Sequence, residues 1–268
     1  MIDEVLADQV AYYRRGAGEY DVAAYGDDVA AARAFIARLV AEMRPAGSVL
    51  EIACGTGLWT EALAGWADTV MAIDAAPEMV AIARDRMQSA NVSFEVADVF
   101  SWRSATRFDV IFFSAWLSHV PASRFGQFWQ LLRNLLAGSG RVLFIDEHVD
   151  ERGKEAYVAG RDEVVERRLR DGSTFCGTKN FADPQEVEPR LGLRDRPGRR
   201  PLGIRRGTSR EIAKRWRVRH ELAGITEDRR NANPVLSHKP ELQTPNGLSS
   251  YPQTKPNRIW AKLGCTPR

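Results

Sequence analysis

The chain of 268 residues has only three cysteines, scattered at positions 54, 176 and 265. An odd number of cysteines without metal-ligand spacing indicates neither a disulfide framework nor a zinc site. No apolar run reaches the roughly 18–20 residues that a membrane-spanning helix requires. The first residues also lack the basic-then-apolar pattern of a signal peptide. We therefore expect a cytoplasmic protein with reduced thiols and no membrane partner.

Acidic residues and aromatic residues are both scarce in the last third of the chain. Residues 1–183 carry about 19 basic and 27 acidic side chains, a net charge of about −8, whereas residues 184–268 carry about 19 basic and 8 acidic ones, a net charge of about +11. This last segment also holds about 10 of the 13 prolines. Such a composition does not support a packed core. The sequence therefore predicts an irregular, basic and disordered tail over residues 194–268.

Short apolar runs alternate with helical patterns along the middle of the chain. The sequence predicts strands at 48–53, 69–73, 92–96, 108–114 and 140–145, and helices at 5–16, 27–44, 60–66, 77–90, 124–137 and 151–171. A short capped helix is also predicted from Asp183 onward. This alternation is typical of parallel strands joined by right-handed crossovers, with helices on both faces. The predicted fold class is therefore α/β, with a doubly wound and mostly parallel sheet.

The strongest local signal is the segment VLEIACGTG, residues 49–57, in which a strand leads into a glycine-bearing turn. Gly55 and Gly57 allow a ligand to approach the backbone closely, although such a turn alone could serve NAD, a phosphate or tight packing. The glycine fingerprint of dinucleotide-binding proteins has a third small residue at the position that Thr60 occupies here, so the segment departs from that fingerprint. Glu51, just before the turn, would repel a pyrophosphate but could hold a cationic amino group through water.

Carboxylates end the second and third predicted strands. Asp74 could accept hydrogen bonds from both ribose hydroxyls of an adenosyl ligand, or it could cap the helix that starts near Pro77. Asp98 could accept a hydrogen bond from an adenine amino group while the next backbone N–H contacts the ring, or it could be a solvated strand end. Together with the glycine turn, these residues favour an adenosyl ligand at the ends of the strands.

These signals together resemble the class I S-adenosylmethionine-dependent methyltransferases, in particular their small-molecule group, over about residues 10–190. Glu51-x-Ala53-Cys54-Gly55-x-Gly57 resembles the first motif of that family, with Ala53 where glycine is commoner. Residues 12–21 resemble the lid that closes over the cofactor, in which Tyr13 and Tyr20 would cover the methionine end or simply pack. The resemblance implies S-adenosyl-L-methionine as the cofactor and ten cofactor-binding residues: Tyr20, Glu51, Ala53, Gly55, Gly57, Asp74, Met79, Asp98, Val99 and Ser114.

The resemblance also implies an organisation in three parts. Lid helices would occupy residues 1–45, the S-adenosylmethionine-binding methyltransferase domain residues 46–193, and the irregular tail residues 194–268. In the family the sheet continues past the fifth strand with an aromatic-rich hairpin, and its last strand is antiparallel. Here the chain continues instead with RDRPGRRP at 194–201. We therefore predict a sheet that lacks its last strands and leaves the fifth strand as an exposed edge.

Two explanations for the tail remain open. A reading-frame change near residue 191 would leave an unselected sequence, whereas a genuine basic appendage would bind RNA or an acidic surface, through a helix at 209–223. Local signals that disagree with every available fold favour the first explanation.

Methyl transfer is a one-step displacement at a sulfonium, so the protein mainly aligns the reactants and, for some acceptors, removes a proton. His119 lies just past the fourth strand, at the edge where open α/β sheets bind ligands. It could act as the catalytic base for an acceptor hydroxyl, or it could cap the next helix or pack in the rim. His148 is a weaker second candidate, and Trp116 could stack on a ligand or fill the core.

The absence of two motifs excludes two classes of methyl acceptor. The chain has no Asn-Pro-Pro-aromatic sequence, which exocyclic-amine methylases use, and no Pro-Cys nucleophile on the fourth strand. The acidic domain disfavours phosphate-rich partners such as nucleic acids. We therefore predict methyl transfer to an O, N or C atom of a small molecule. The alternatives are an RNA methyltransferase that uses the basic tail and a cofactor-binding protein that has lost catalysis. The sequence names neither the acceptor nor the oligomeric state.

Overall fold

A six-stranded sheet lies at the centre of the computed structural model, which describes residues 2–147 and 149–181 and the strand 259–265, with only the backbone described at 149–151 and 259–265. The strands are β1 (Ser48–Ile52), β2 (Thr69–Asp74), β3 (Val92–Val96), β4 (Phe108–Ser114), β5 (Leu136–Glu147), β6 (Val164–Arg168), β7 (Thr174–Thr178) and β8 (Ile259–Cys265). The helices are α1 (Ile2–Arg15), α2 (Tyr20–Tyr25), α3 (Val29–Met43), α4 (Leu58–Ala64), α5 (Pro77–Arg86) and α6 (Phe125–Leu135). In the described residues, no helix has both the length and the apolarity to cross a bilayer.

The order of the strands confirms the predicted fold class. The sheet runs β3-β2-β1-β4-β5-β8, and its first five strands pair in parallel. Because the chain order reverses between β1 and β4, the helices that follow these two strands leave the sheet in opposite directions. The resulting crevice lies at the carboxyl ends of β1 and β4, where doubly wound sheets bind their ligands.

Both faces of the sheet are covered, as the apolar strands require. Along β4, Ile111 and Phe113 belong to a core that includes the buried side of α6, whereas Val110 and Phe112 belong to a second core with α3 and α4. Successive strand residues point to opposite faces, so an apolar strand can feed both cores. The sheet is thereby held as a rigid platform beneath the crevice.

Most predicted elements agree with the structure, with two exceptions. β3 and β4 have the predicted bounds, and the predicted helices 77–90 and 124–137 correspond to α5 and α6. The predicted charged helix at 151–171 is wrong. A 3-10 helix at Val149–Lys154 leads instead into the antiparallel pair of β6 and β7. The helix predicted from Asp183 lies outside the described residues.

The second exception is the edge of the sheet. β8 pairs antiparallel with β5, with Leu143 opposite Leu263 and Glu147 opposite Ile259. The register shifts between Val142 and Leu143, which places Gly264 as the extra residue of a bulge. The prediction of missing last strands and an exposed fifth strand is therefore wrong at residues 259–265, because this short segment satisfies the backbone groups along β5. The rest of the predicted tail lies outside the described residues, and so does the helix proposed at 209–223.

The pairing of β8 can be tested by truncation. A chain that ends at Arg258 should lose several kcal/mol of stability, since six backbone-paired positions disappear and each net hydrogen bond contributes about 0.5–1.5 kcal/mol. Thermal unfolding followed by circular dichroism would measure the loss. A chain that ends at Cys265 keeps the strand and is the matched control. An unchanged melting temperature after removal of residues 259–268 would contradict the pairing.

Candidate functional site

A cavity of about 610 Å³ lies at the carboxyl edge of the sheet, partly under α1. The turns after β1, β2, β3 and β4 form its floor, and one side of α1 closes it from above. Residues that line it include Leu6, Gln9, Val10, Tyr13, Tyr20, Ala53, Gly55, Asp74, Met79, Asp98, Val99, Phe100, Ser114, Trp116, His119 and Arg124. The volume is within the range of about 300–1,000 Å³ that ligand pockets have.

The turn after β1 is wound in the left-handed region. Gly55 and Gly57 have φ of 55° and 82°, and Ala53, which stands where glycine is commoner in the family, has φ of 55°. Gly55 lines the cavity, whereas Gly57 faces α5, where an added Cβ would lie 3.0 Å from the Cβ of Ala83. Gly57 therefore serves the packing of the turn on α5 and does not line the cavity. The cofactor-binding role predicted for Gly57 and Ala53 stays a prediction.

The carboxylate of Asp74 fixes the shape of this turn. Asp74 Oδ2 accepts a hydrogen bond from the N–H of Gly55 at 2.9 Å, and Oδ1 accepts one from the N–H of Ala76 at 2.8 Å. Burial raises the pKa of Asp74, and these backbone N–H groups oppose that rise. Asp74 thus holds the residue before α5, but the alternative role as the N-cap of this helix is wrong, because Ala76 occupies the N-cap position without a side-chain cap. Asp74 also lines the cavity, where each oxygen keeps a lone pair for a ribose hydroxyl.

Glu51 lies behind the turn and is only 2% exposed. The hydroxyl of Thr60 donates to Glu51 Oε2 at 2.6 Å. The pKa of Glu51 is raised to about 8. Burial is the main cause and the charge of Asp74 adds to it, whereas the hydrogen bond from Thr60 opposes the rise. Glu51 is outside the lining of the cavity. Contact with a cationic amino group therefore needs a bridging water or a shift of the turn, and this role stays a prediction.

The ends of β3 and β4 complete the floor of the cavity. Asp98 Oδ1 accepts from the N–H of Phe100 at 3.0 Å, which holds the loop so that Val99 and Phe100 also line the cavity. Ser114, at the end of β4, lines the opposite side. Asp98 is exposed, so one carboxylate edge remains available for an amino group. The sequence-predicted residues Tyr20 and Met79 lie on the same wall as Asp74.

His119 lies at the other end of the cavity and is 7% exposed. Its Nδ1 is 2.9 Å from the carbonyl oxygen of Thr178, which can only accept, so Nδ1 carries the proton. Nε2 then has the lone pair, which accepts a hydrogen bond from the hydroxyl of Tyr13 at 3.3 Å. Burial, the charge of Lys179 and the charge of Arg167 lower the pKa of His119 well below its usual range. His119 is therefore neutral at physiological pH, with its basic nitrogen beside Tyr13.

Several residues at this end were not identified from the sequence. Gln9 Oε1 accepts from the N–H of Thr178 at 2.8 Å, which ties α1 to β7 and fixes the carbonyl that orients His119. Lys179 is buried and pairs with Glu147 at 2.7 Å. One sequence signal was available, because Asp171-Gly172 between two β-rich runs is typical of a hairpin turn. His148, the second candidate base, lies outside the described residues.

Trp116 also lines the cavity, between β4 and His119. Its indole Nε1 is buried and has no hydrogen-bond partner within the part of the chain that the structure describes. A buried donor of this kind costs about 1–3 kcal/mol if it stays unpaired. Trp116 also packs against the core below α6, so its role in stacking on a ligand stays a prediction. No group of three or more potential metal-ligating side chains is found among the described residues.

Comparison with known proteins identifies the family. A family model described as "Methyltransferase domain" matches residues 49–140. The solved structure "DhpI-SAH complex structure" is 38% identical, has a TM-score of 0.58, and is matched over 70% of this chain and 86% of its own. The chain belongs to the class I S-adenosylmethionine-dependent methyltransferase family. The resemblance that the motifs indicated is thereby confirmed.

Two curated relatives of this methyltransferase match over shorter stretches. Nodulation protein S of Sinorhizobium fredii is 32% identical over 48% of this chain and 60% of its own length. Malonyl-[acyl-carrier protein] O-methyltransferase of Bacillus cereus is 36% identical over 51% of this chain and 50% of its own length. The methyltransferase therefore spans about half the length of the curated relatives that it matches.

Replacement of Asp74 tests the cofactor end. Asp74→Ala should weaken S-adenosylmethionine binding by about 1–3 kcal/mol, because a charge-assisted acceptor and the support of the turn are both lost. Titration calorimetry on the folded variant would measure the change. Asp109→Ala is the matched control, since Asp109 is an exposed carboxylate that accepts from the N–H of Ser48 at the opposite end of the sheet. Equal affinities for wild type and Asp74→Ala would reduce Asp74 to a backbone support.

The buried carboxyl of Glu51 predicts a pH dependence of stability. In the unfolded chain, Glu51 loses its proton above about pH 4.5, whereas in the folded protein it keeps the proton until about pH 8. The free energy of unfolding therefore falls between these pH values, by at most about 1.4 kcal/mol per pH unit. Glu51→Gln removes this titration, and its amide oxygen can still accept from Thr60. The variant should therefore melt at a higher temperature than wild type at pH 8 and at a similar one near pH 4.

A matched control for this pH dependence is Glu61→Gln, because Glu61 is an exposed carboxylate on the same helix as Thr60. Its melting curve should follow that of the wild type at both pH values. Parallel pH profiles for wild type and Glu51→Gln would show that Glu51 is charged in the folded protein throughout, which contradicts the prediction.

Proposed function

We propose that this protein transfers the methyl group of S-adenosyl-L-methionine to an O, N or C atom of a small-molecule acceptor. The observation that carries the proposal is one partly open cavity with two different ends. One end has the carboxylates of Asp74 and Asp98 beside the glycine turn, and the other has the neutral His119. Carboxylates at these positions suit the ribose and adenine donors of the cofactor, whereas a neutral imidazole suits the removal of a proton.

The cofactor supplies a methyl group on a sulfonium, which makes it a strong electrophile without further activation. The protein's own residues then bind, orient and exclude water. Asp74 and Asp98 would hold the adenosyl part, the Gly55 backbone would lie against the cofactor, and Tyr20 would cover its methionine end. At the far end, His119 Nε2 would accept the proton of an acceptor hydroxyl or amine as its lone pair attacks the methyl carbon. This division of roles follows the positions of the residues along the cavity.

The lining disfavours one alternative. Asp3, Asp74 and Asp98 face the cavity against a single described arginine, Arg124, which already pairs with Asp3. An acidic lining of this kind attracts the positively charged cofactor but repels a phosphate backbone. The RNA methyltransferase alternative therefore rests on the basic residues beyond 194 alone. The Bacillus cereus relative is named a malonyl-[acyl-carrier protein] O-methyltransferase.

The experiment that tests this function is a transfer assay with S-adenosylmethionine labelled in the methyl group. The folded protein is incubated with fractionated small-molecule extracts, and label in a new product is measured. Transfer to a small molecule supports the proposal. Binding of the cofactor without transfer in every fraction would support a protein that has lost catalysis, and transfer to RNA would support the nucleic-acid alternative.

Once an acceptor fraction is known, His119→Ala should lower turnover about a hundredfold if His119 is the base, while cofactor affinity stays within about twofold. Because burial keeps the pKa of His119 well below 6.5, the neutral and active form persists at pH 6, and the rate of the wild type should not fall between pH 8 and pH 6 on its account. A threefold or smaller loss on substitution would remove His119 from the chemistry, whereas a wild-type rate that falls near pH 6.5 would contradict the lowered pKa of His119.

A further inference from the structure

A buried cluster of three side chains joins the N-terminal segment to the floor of the cavity. Asp21 is on α2, Thr56 lies inside the glycine turn, and Arg86 is the last residue of α5. The Thr56 hydroxyl donates to Asp21 Oδ1 at 2.5 Å, and Arg86 Nη1 donates to the Thr56 hydroxyl at 2.9 Å. Arg86 Nη1 also donates to the Thr56 carbonyl oxygen at 2.5 Å, and Nη2 pairs with Asp21 Oδ2. Each of the three residues therefore contacts the other two.

The environment makes these contacts strong. The side chains of Arg86 and Asp21 are 14% and 18% exposed, so water screens their attraction little. Hydrogen bonds between charged groups are shorter and roughly twice as strong as those between neutral groups. Loss of one charged partner would leave the other charge buried and unpaired, which is costly. The cluster therefore couples α2 firmly to the turn and to α5.

The position of the cluster connects it to the cavity. Tyr20, directly before Asp21, lines the cavity, and an added Cβ on Gly55 would lie 3.7 Å from Tyr20 Cε1. Thr56 stands between Gly55 and Gly57 in the turn. Docking of Asp21 on Thr56 therefore places the Tyr20 ring over Gly55, where the adenosyl ligand would lie. The phenol of Tyr20 is buried enough that its pKa is raised well above the usual value.

A second ion pair joins the same two parts of the chain and offers a comparison. Arg14, at the end of α1, pairs with Glu78 in the first turn of α5 at 3.0 Å. The two side chains are 52% and 43% exposed. Exposed pairs of this kind contribute little, because water and salt screen them. The two pairs thus bridge the N-terminal segment and α5 with similar chemistry but very different burial.

We propose that Asp21, Thr56 and Arg86 form a latch that holds the segment Tyr20–Tyr25 closed over the bound cofactor and so slows its release. The latch residues are positioning residues, since they act through Tyr20 and the glycine turn. The proposal rests on the proposed function of the same cavity, because the retained ligand is the cofactor. A closed segment raises the binding-competent fraction of the protein, and apparent affinity scales with that fraction.

The test measures the dissociation rate of S-adenosylhomocysteine from wild type, Asp21→Asn, Arg86→Gln and the control Arg14→Ala. Both latch variants should release the ligand about tenfold faster or more, the factor expected when a hydrogen bond to a charged group is lost. Arg14→Ala should stay within about twofold of wild type. Equal dissociation rates in all four proteins would overturn the latch, even if the latch variants melt at lower temperature, because a purely structural role changes stability alone.

The double variant Asp21→Asn/Arg86→Gln guards against loss of folding, since it leaves no unpaired buried charge. Its dissociation rate should be no faster than that of the single variants, because all three break the same contact. Amide exchange provides a readout that needs no ligand: residues 17–25 should exchange faster in the latch variants than in wild type and Arg14→Ala. Unchanged exchange there overturns the latch. If the wild type binds no S-adenosylhomocysteine, the proposed function is contradicted. The amide-exchange result would then still test the latch.

Discussion

The hydrogen bond from the backbone N–H of Gly55 to the carboxylate of Asp74 is the contact on which the cavity depends. It joins the turn after β1 to the end of β2, two neighbouring parallel strands. The other oxygen of Asp74 holds Ala76 and so fixes where α5 begins. Without this carboxylate, the turn, the start of α5 and the wall that carries Met79 would have no common anchor. One buried acid therefore supports three segments of the cavity.

Strain at the strand ends complements this anchor. Ala53 and Ala115, just after β1 and β4, have φ of 55° and 48°, a region that costs an L-residue roughly 1–2 kcal/mol. β1 and β4 are adjacent, and Ile52 is opposite Phe113, so both chains bend away from the sheet at the same level. The crevice opens where the two strained residues lie. Strain of this kind persists only where the surrounding contacts enforce it, and here the Asp74 hydrogen bonds act on one side.

The central sheet and the cofactor end could be predicted from the sequence because both follow from local patterns. Strand ends in a parallel sheet lie along one edge, so Asp74, Asp98 and Ser114 had to come close to one another once the alternation was recognised. The hairpin of β6 and β7 was missed, because its many charges on the solvent side resemble an exposed helix. The turn at Asp171-Gly172 was the better guide. β8 could not be predicted, since a short edge strand far along the chain has no local partner.

The end of the cavity that contains His119 depends on contacts between segments that are distant in the chain, which explains why the sequence alone did not predict it. Leu6, Gln9, Val10 and Tyr13 lie at helical spacing on one face of α1, and this face closes the cavity. Gln9 reaches Thr178, 169 positions away, and Thr178 in turn orients His119. The periodicity of α1 indicated an inward face but not what it would cover. The sheet thus positions the floor of the cavity, whereas α1 lines it from above and the β6–β7 hairpin acts through Thr178, which orients His119.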